Sequence, residues 1–226
     1  MDTWLELPRA AFDLETTGKD PLEARIVTAS IVVVNGRQEI INHREWLVNP
    51  GVPIPEEAAA VHGVSTERAV ASGMDPAVAV AEISAHLRDL FQTMPVMAFN
   101  ASYDFTVLAR EAARHGVEPV DPAPVIDPFI IDKHVDKYRR GKRTLGALCE
   151  HYSIPLLNAH TSVADAAATI GVADAQAVKY PAVLGLDPAE LHRQQIRWAA
   201  EQAASLQEYF RRKDPAAVVD GTWPVR

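Results

Sequence analysis

Branched apolar residues crowd the first third of the chain. Residues 4–12, 26–34 and 39–47 form three such runs, and each predicts a β-strand. Turn signals separate them. Gly18 to Pro21 makes the first break, and Asn35-Gly36 between the second and third runs is a strong hairpin sign. A proline-rich loop, residues 49–55, follows. Beyond it strands and helices alternate. Residues 76–94 predict a helix with Asp75 as N-cap and proline in the first turn. Residues 96–99 predict a short apolar strand, and residues 102–115 a helix closed by Gly116. Residues 124–126 read as another short strand. Helical patterns cover 144–152, 162–179 and 188–213, and 214–226 reads as a loose tail. Three strands followed by alternating strands and helices predict a mixed sheet flanked by helices, in a single α/β domain. Residues 1–180 carry this pattern. Residues 181–226 add a helix and tail, expected to pack on the same domain.

Composition narrows the classes. A chain of 226 residues can bury one sizeable core. Its formal net charge of −8 argues against a protein that coats nucleic acid through general electrostatics. The same charge suits an enzyme that grips a few phosphates locally, because carboxylates that await cations make the chain acidic. The lone cysteine, Cys149, allows neither an internal disulfide nor a cysteine metal site. It falls in an apolar helical pattern, which points to a buried, inert thiol. No apolar run is long enough to cross a bilayer, and the first residues lack a signal-peptide pattern, so a cytoplasmic location is expected. The one dense basic stretch, residues 133–143, reads either as a track for a phosphate backbone or as a solvated loop.

Three short segments hold the candidate chemistry. In AFDLETTG, Asp13 and Glu15 end an apolar strand, and period-two alternation puts both side chains on one face. They are either two solvated acids or a pair whose repulsion a divalent cation relieves. In AFNASYDFTVL, Asn100 and Asp104 lie between a second strand and the next helix. That is either a helix-end acid favoured by the dipole or a site residue at the carboxyl end of a strand. In NAHTSVADAAAT, His160 lies in a loop and Asp165 in a first helical turn. These read as a surface histidine with a dipole-favoured acid, or as part of the same site. Four carboxylates and a histidine together suit hydrolysis of a phosphodiester. Hard oxygen ligands select Mg²⁺ or Mn²⁺, two such ions can clamp the attacking and leaving oxygens, and a histidine can take a proton near neutral pH.

FDLETTG, NASYD and HTSVAD resemble, in order and spacing, the three motifs of the DEDD (DnaQ-like) exonuclease superfamily, over roughly residues 11 to 178. The spacing His160-x-x-x-x-Asp165 resembles its DEDDh branch. The resemblance implies a ribonuclease H-like mixed sheet whose first three strands are antiparallel. It implies a 3′→5′ exonuclease that releases nucleoside 5′-monophosphates with two divalent cations, Mg²⁺ or Mn²⁺. Asp13, Glu15 and Asp165 would bind the first ion. Asp13 would bridge to the second, helped by Asp104 through water, and His160 would be the general base. Thr16 and Thr17 would meet the terminal nucleotide. PEEAAAVHGV resembles the family's Glu-x-x-x-x-His-Gly, which places Glu57 at the terminal 3′-hydroxyl and His62 at the nucleotide. A capped helix with a loop histidine is the other reading there. Asn100 and Tyr103 join the substrate-binding candidates, with Tyr103 either stacking on a base or packing in the core.

The implied partner is single-stranded or 3′-frayed DNA, with RNA open. The branch includes the epsilon proofreading subunit of DNA polymerase III, which leaves two readings equally open: association with that polymerase, or a stand-alone nuclease for repair or nucleotide salvage. Membrane association is not expected, and the motifs leave oligomeric state open. A nucleic-acid-binding module that kept the fold and lost catalysis is the competing class. The five complete catalytic positions speak against it. Leu191, Trp198, Leu206 and Phe210 mark an amphipathic helix that packs either on its own domain or on a partner.

Overall fold

The computed structural model describes residues 4–156 and 162–226. Strands β1 (Arg9–Thr16), β2 (Ile26–Val34) and β3 (Ile40–Leu47) form an antiparallel meander. The chain continues through α1 (Glu56–His62), α2 (Thr66–Ser72) and α3 (Pro76–Phe91) to β4 (Val96–Met97). Next come α4 (Ser102–His115), β5 (Val125–Ile126) and α5 (Pro128–Val135). Helices α6 (Leu145–Tyr152), α7 (Ser162–Lys179), α8 (Pro181–Leu184) and α9 (Pro188–Arg211) complete it. The sheet order is β3-β2-β1-β4-β5, with β4 parallel to β1 and β5 parallel to β4. This is the expected ribonuclease H-like mixed sheet.

Burial explains the strand patterns. β2 is covered on both faces, so it reads as a continuous apolar run rather than an alternation. β3 is an edge strand, exposed from Ile40 to Glu45 and anchored by buried Trp46. The β2–β3 connection is tight because Gly36 passes against the backbone of Glu6, where a Cβ would lie 2.2 Å from the carbonyl oxygen. α4 lies on the face of Phe12, whose ring packs 5.5 Å from Phe105. α7 crosses β1 and β2, burying Ala166, Ile170, Ala173 and Ala177. Alanines at these positions let the helix approach the sheet closely. A buried ion pair sets its position: Arg9 at the start of β1 donates from Nε to Asp174 Oδ1 at 2.9 Å.

Several expectations are corrected. The first strand begins at Arg9, not at residue 4. Trp4–Glu6 is a 3₁₀ turn, and Pro8 lies between the turn and the strand. Residues 66–72 form a helix that the sequence pattern did not predict, whereas residues 56–62 form the helix kept as one reading there, closed by Gly63 at φ 74°. The tail is not loose. Trp223 is buried, its Nε1 donates to Asp127 Oδ2 at 3.2 Å, and the Arg226 N–H donates to Thr106 Oγ1 at 3.0 Å. α9 lies against β5, where Gln195 bonds both the Val125 carbonyl and the Asp127 N–H.

Residues 133–143 are not simply a solvated loop. Lys133 to Val135 finish α5, and both Arg139 and Arg143 turn inward to the buried carboxylate of Asp132. Arg143 also donates to the carbonyls of Asp132 and Asp136. Breaking a buried pair of this kind typically costs about 3–5 kcal/mol, because it leaves an uncompensated charge. These two arginines therefore serve the fold. Lys137, Arg140 and Lys142 remain exposed.

Candidate active site

The site forms because β1 outlasts its neighbour. β4 pairs with β1 only at Ala10 and Ala11. On that edge the Ala10 N–H reaches the Pro95 carbonyl at 3.1 Å. Four residues on, β4 has ended, and the Leu14 N–H finds Asp104 Oδ1 at 3.1 Å instead. A carboxylate in the first turn of α4 thus replaces the missing strand. Leu14 points into the core, and Asp13 and Glu15 point to the opposite face. There the first turn of α7 brings in Asp165. One carboxylate oxygen from each of Asp13, Glu15 and Asp165 lies within 4.8 Å of the others. Asp104 sits beside this cluster, close enough to act on Asp13 electrostatically. His160 lies outside the described residues.

Electrostatics shows that these acids are ill at ease without a counter-charge. Burial pushes the Asp13 carboxyl well above the usual carboxylate range, and Asp104, Asp165 and Glu15 push it further. Burial also raises Glu15, to about 7, with Asp165 adding to the effect. Asp104 is raised by burial despite the Leu14 N–H that favours its charged form. Hard oxygen donors that repel one another are the donor set a divalent cation stabilises. Among the described residues the cluster holds no nitrogen or sulfur ligand of the kind zinc prefers.

A pH effect follows with a definite sign. Metal-free folded protein keeps a proton on Glu15 up to about 7, whereas the unfolded chain releases it around 4.5. Between those values the folded state binds more protons, so stability falls as pH rises. Thermal melts in EDTA should therefore show wild type losing ground to Glu15→Gln between pH 5 and pH 7.5. Added Mn²⁺ should reverse the trend for wild type, because metal binds the deprotonated acids. A wild-type melting temperature that tracks Glu15→Gln across this range would contradict the shift.

Beside the acids lies a cleft of about 290 Å³, lined by Glu15, Thr16, Thr17, Glu57, His62 and Tyr103 among others. Five of the substrate-binding candidates thus share one wall system with a candidate metal ligand. Tyr103 is more than core packing, since its hydroxyl bonds Thr16 Oγ1 and the Gly18 carbonyl and holds its ring at the cleft. The Thr17 hydroxyl accepts the Arg25 N–H at 3.0 Å and closes the loop after β1. Glu57 is exposed on α1, and His62 ends that helix with Nδ1 accepting the Val64 N–H at 3.2 Å. Burial lowers the His62 imidazole below its ordinary value, which favours the neutral ring. Asn100 does not join this cleft. It adopts φ 60° before α4 and lines a different cavity with Lys133 and Trp223.

Among the buried acids that escaped the sequence reading, Asp127 is bonded to the segment that leads into α4. Asp127 follows β5 and caps α5, and it accepts the N–H groups of Asn100, Ala101 and Phe129 at 2.9–3.0 Å. Burial raises it to about 6, while these donors and Trp223 pull it down. Its signal was an Asp-Pro pair after an apolar strand, the N-cap-then-proline pattern also present at Asp75-Pro76.

A mixed sheet with clustered acids at the end of its central strand defines a ribonuclease H-like nuclease fold. The family model described as Exonuclease (RNase T) matches residues 10–173, and the chain belongs to that family. A DNA polymerase III subunit epsilon-like protein of Rhodobacter capsulatus is 33% identical over 168 residues, covering 73% of this chain and 23% of that protein. A PolC-type DNA polymerase III of Caldanaerobacter subterraneus is 25% identical, covering 73% of this chain and 11% of that protein. The chain therefore spans less than a quarter of the length of these relatives. Escherichia coli exonuclease I, in a zinc-bound complex with single-stranded DNA, shares the fold at a TM-score of 0.68 and 19% identity, covering 78% of this chain and 42% of that one. Among the described residues no helix is long and apolar enough to cross a membrane.

Proposed function

We propose that the protein is a metal-dependent 3′→5′ exonuclease that removes nucleoside 5′-monophosphates from single-stranded DNA ends. The convergence of Asp13, Glu15 and Asp165 beside the cleft carries this reading. These three acids would hold one Mg²⁺ or Mn²⁺, and Asp13 with Asp104 would hold a second. When bound, such ions supply an activated water and neutralise charge on the leaving oxygen. His160 takes the proton from the attacking water. Glu57 meets the terminal 3′-hydroxyl, while Thr16, Thr17, His62 and Tyr103 hold the terminal nucleotide. The 3′-oxygen of the next nucleotide leaves, so the phosphate stays on the released product.

Single-stranded DNA is the favoured substrate because the exonuclease I neighbour was solved with it. The epsilon-like relative favours a link to DNA polymerase III, and a cytoplasmic location fits that work. Residues 181–226 act as part of the nuclease unit, supported by the Gln195 and Trp223 bonds to the β5 end.

Digestion of end-labelled single-stranded DNA, duplex DNA, RNA and circular single strands with Mg²⁺ tests this. Linear single-stranded DNA should shorten stepwise from the 3′ end, with 5′-mononucleotides as product, and circles should resist. Rapid cutting of circles would overturn the exonuclease reading. Retention of DNA without release of nucleotides would favour a binding module, and faster digestion of RNA would overturn the DNA assignment.

A further inference from the structure

Asp127 lies outside the carboxylate cluster and lines neither the cluster nor the cleft beside it. It is nevertheless among the most heavily bonded acids of the chain, and its bonds converge on the segment that carries Asp104. Oδ1 accepts from the Asn100 N–H at 3.0 Å and from the Phe129 N–H at 2.9 Å. Oδ2 accepts from the Ala101 N–H at 2.9 Å and from Trp223 Nε1 at 3.2 Å. Asn100 and Ala101 in turn supply the first carbonyls of α4, accepting the N–H groups of Tyr103 and Phe105 at 2.9 and 3.1 Å. Asp104 is the third residue of that helix. A shift at residues 100–101 therefore moves the Asp104 carboxylate directly.

The backbone of Asn100 supplies an independent sign. Its φ of 60° is left-handed, a conformation that asparagine adopts more readily than other non-glycine residues but that still needs a local hold. Here the hold comes from the Asp127 carboxylate, which accepts the N–H groups of Asn100 and Ala101 on either side of the Asn100 Cα. Asp127 is itself fixed from behind. Its N–H donates to Gln195 Oε1 at 2.7 Å, and the Trp223 ring packs 5.0 Å from His192, whose Nδ1 accepts the Val125 N–H. Residues 192, 195 and 223 lie beyond the stretch that matches the family model, residues 10–173.

From this we infer that Asp127, steadied by Trp223, is a positioning residue that aims the Asp104 carboxylate at the metal-binding cluster. The inference rests on the function proposed above. It adds that residues beyond the matched family stretch help to set the metal site. Asp127 need not touch metal, substrate or the attacking water. It fixes a backbone turn, and that turn fixes a carboxylate.

The test is Mn²⁺ binding by titration calorimetry, read beside nuclease kinetics, on wild type, Asp127→Asn, Trp223→Phe and the double variant. Asp127→Asn keeps the shape but turns one acceptor into a donor facing N–H groups. Supporting shells of this kind typically account for about 10–100-fold in metal affinity or activity. Asp127→Asn should weaken Mn²⁺ binding and lower kcat within that range, with KM for a short oligonucleotide nearly unchanged. Trp223→Phe keeps a ring in place and removes only the N–H donor, so a smaller loss of about fivefold is expected. Because Trp223 acts through Asp127, the double variant should be no worse than Asp127→Asn alone. A folded Asp127→Asn protein with wild-type Mn²⁺ affinity would overturn the inference. If Asp127→Asn does not fold, Trp223→Phe decides: wild-type affinity there overturns it equally. Wild-type protein that neither binds Mn²⁺ nor releases nucleotides would overturn the proposed function instead, which separates the two failures.

Discussion

Asp13→Ala should lose about 10³-fold or more in nucleotide release, the largest single effect expected in this chain. The reason is position. Asp13 shares the oxygen cluster with Glu15 and Asp165 and also feels Asp104, so it is the acid that interacts with all the others. Charge stabilisation by a metal is typically worth several kcal/mol in the transition state, and each ~1.4 kcal/mol is tenfold in rate. EDTA should abolish wild-type activity in the same way, and Mg²⁺ or Mn²⁺ should restore wild type but not the variant. Stability should move in the opposite direction. Burial and three neighbouring acids press on the Asp13 charge, so the isosteric Asp13→Asn should melt higher than wild type at pH 8 in EDTA. Near-normal turnover of Asp13→Ala would remove Asp13 from the metal site. A metal-free melting temperature lowered by Asp13→Asn would show that the acids are not repelling one another.

Much of this arrangement was legible in the sequence because it is local. Period two in β1 separates Asp13 and Glu15 from Phe12 and Leu14, and Asn35-Gly36 marks the hairpin that orders the first three strands. What the sequence hid are contacts between distant segments. Arg139 and Arg143 look like a basic track until the fold supplies Asp132, a buried acid that reads like any other polar residue of a short helix. Trp223 sits among residues with no helical or strand period, so nothing local announces its burial. Its partner, Asp127, is 96 positions away. Asn100 carries a family motif, yet it turns to a cavity other than the one lined by Thr16, Glu57 and His62. A motif names residues that travel together in sequence. It does not state which side of a backbone turn each one faces.

The second large effect is expected at His160, whose proposed role rests on its spacing from Asp165. His160→Ala should lose about 10²–10⁴-fold in turnover, the usual worth of a general base. Binding of metal and of single-stranded DNA should persist, because the carboxylates and the cleft remain. The pH profile needs care, since two groups titrate in one region. An ordinary histidine changes charge at about 6.5, and metal-free Glu15 is raised to about 7. Saturating Mn²⁺ separates them, because a bound cation favours the charged carboxylate and drives its titration down, out of the window. At saturating metal, the wild-type rate should still rise with pH through the histidine range and then level off. The alanine variant should be slow and should lack that step. If the step vanishes from wild type once metal is saturating, it belonged to the acids and not to His160. If His160→Ala keeps the full rate and the step, the general base lies elsewhere, even with every carboxylate assignment intact.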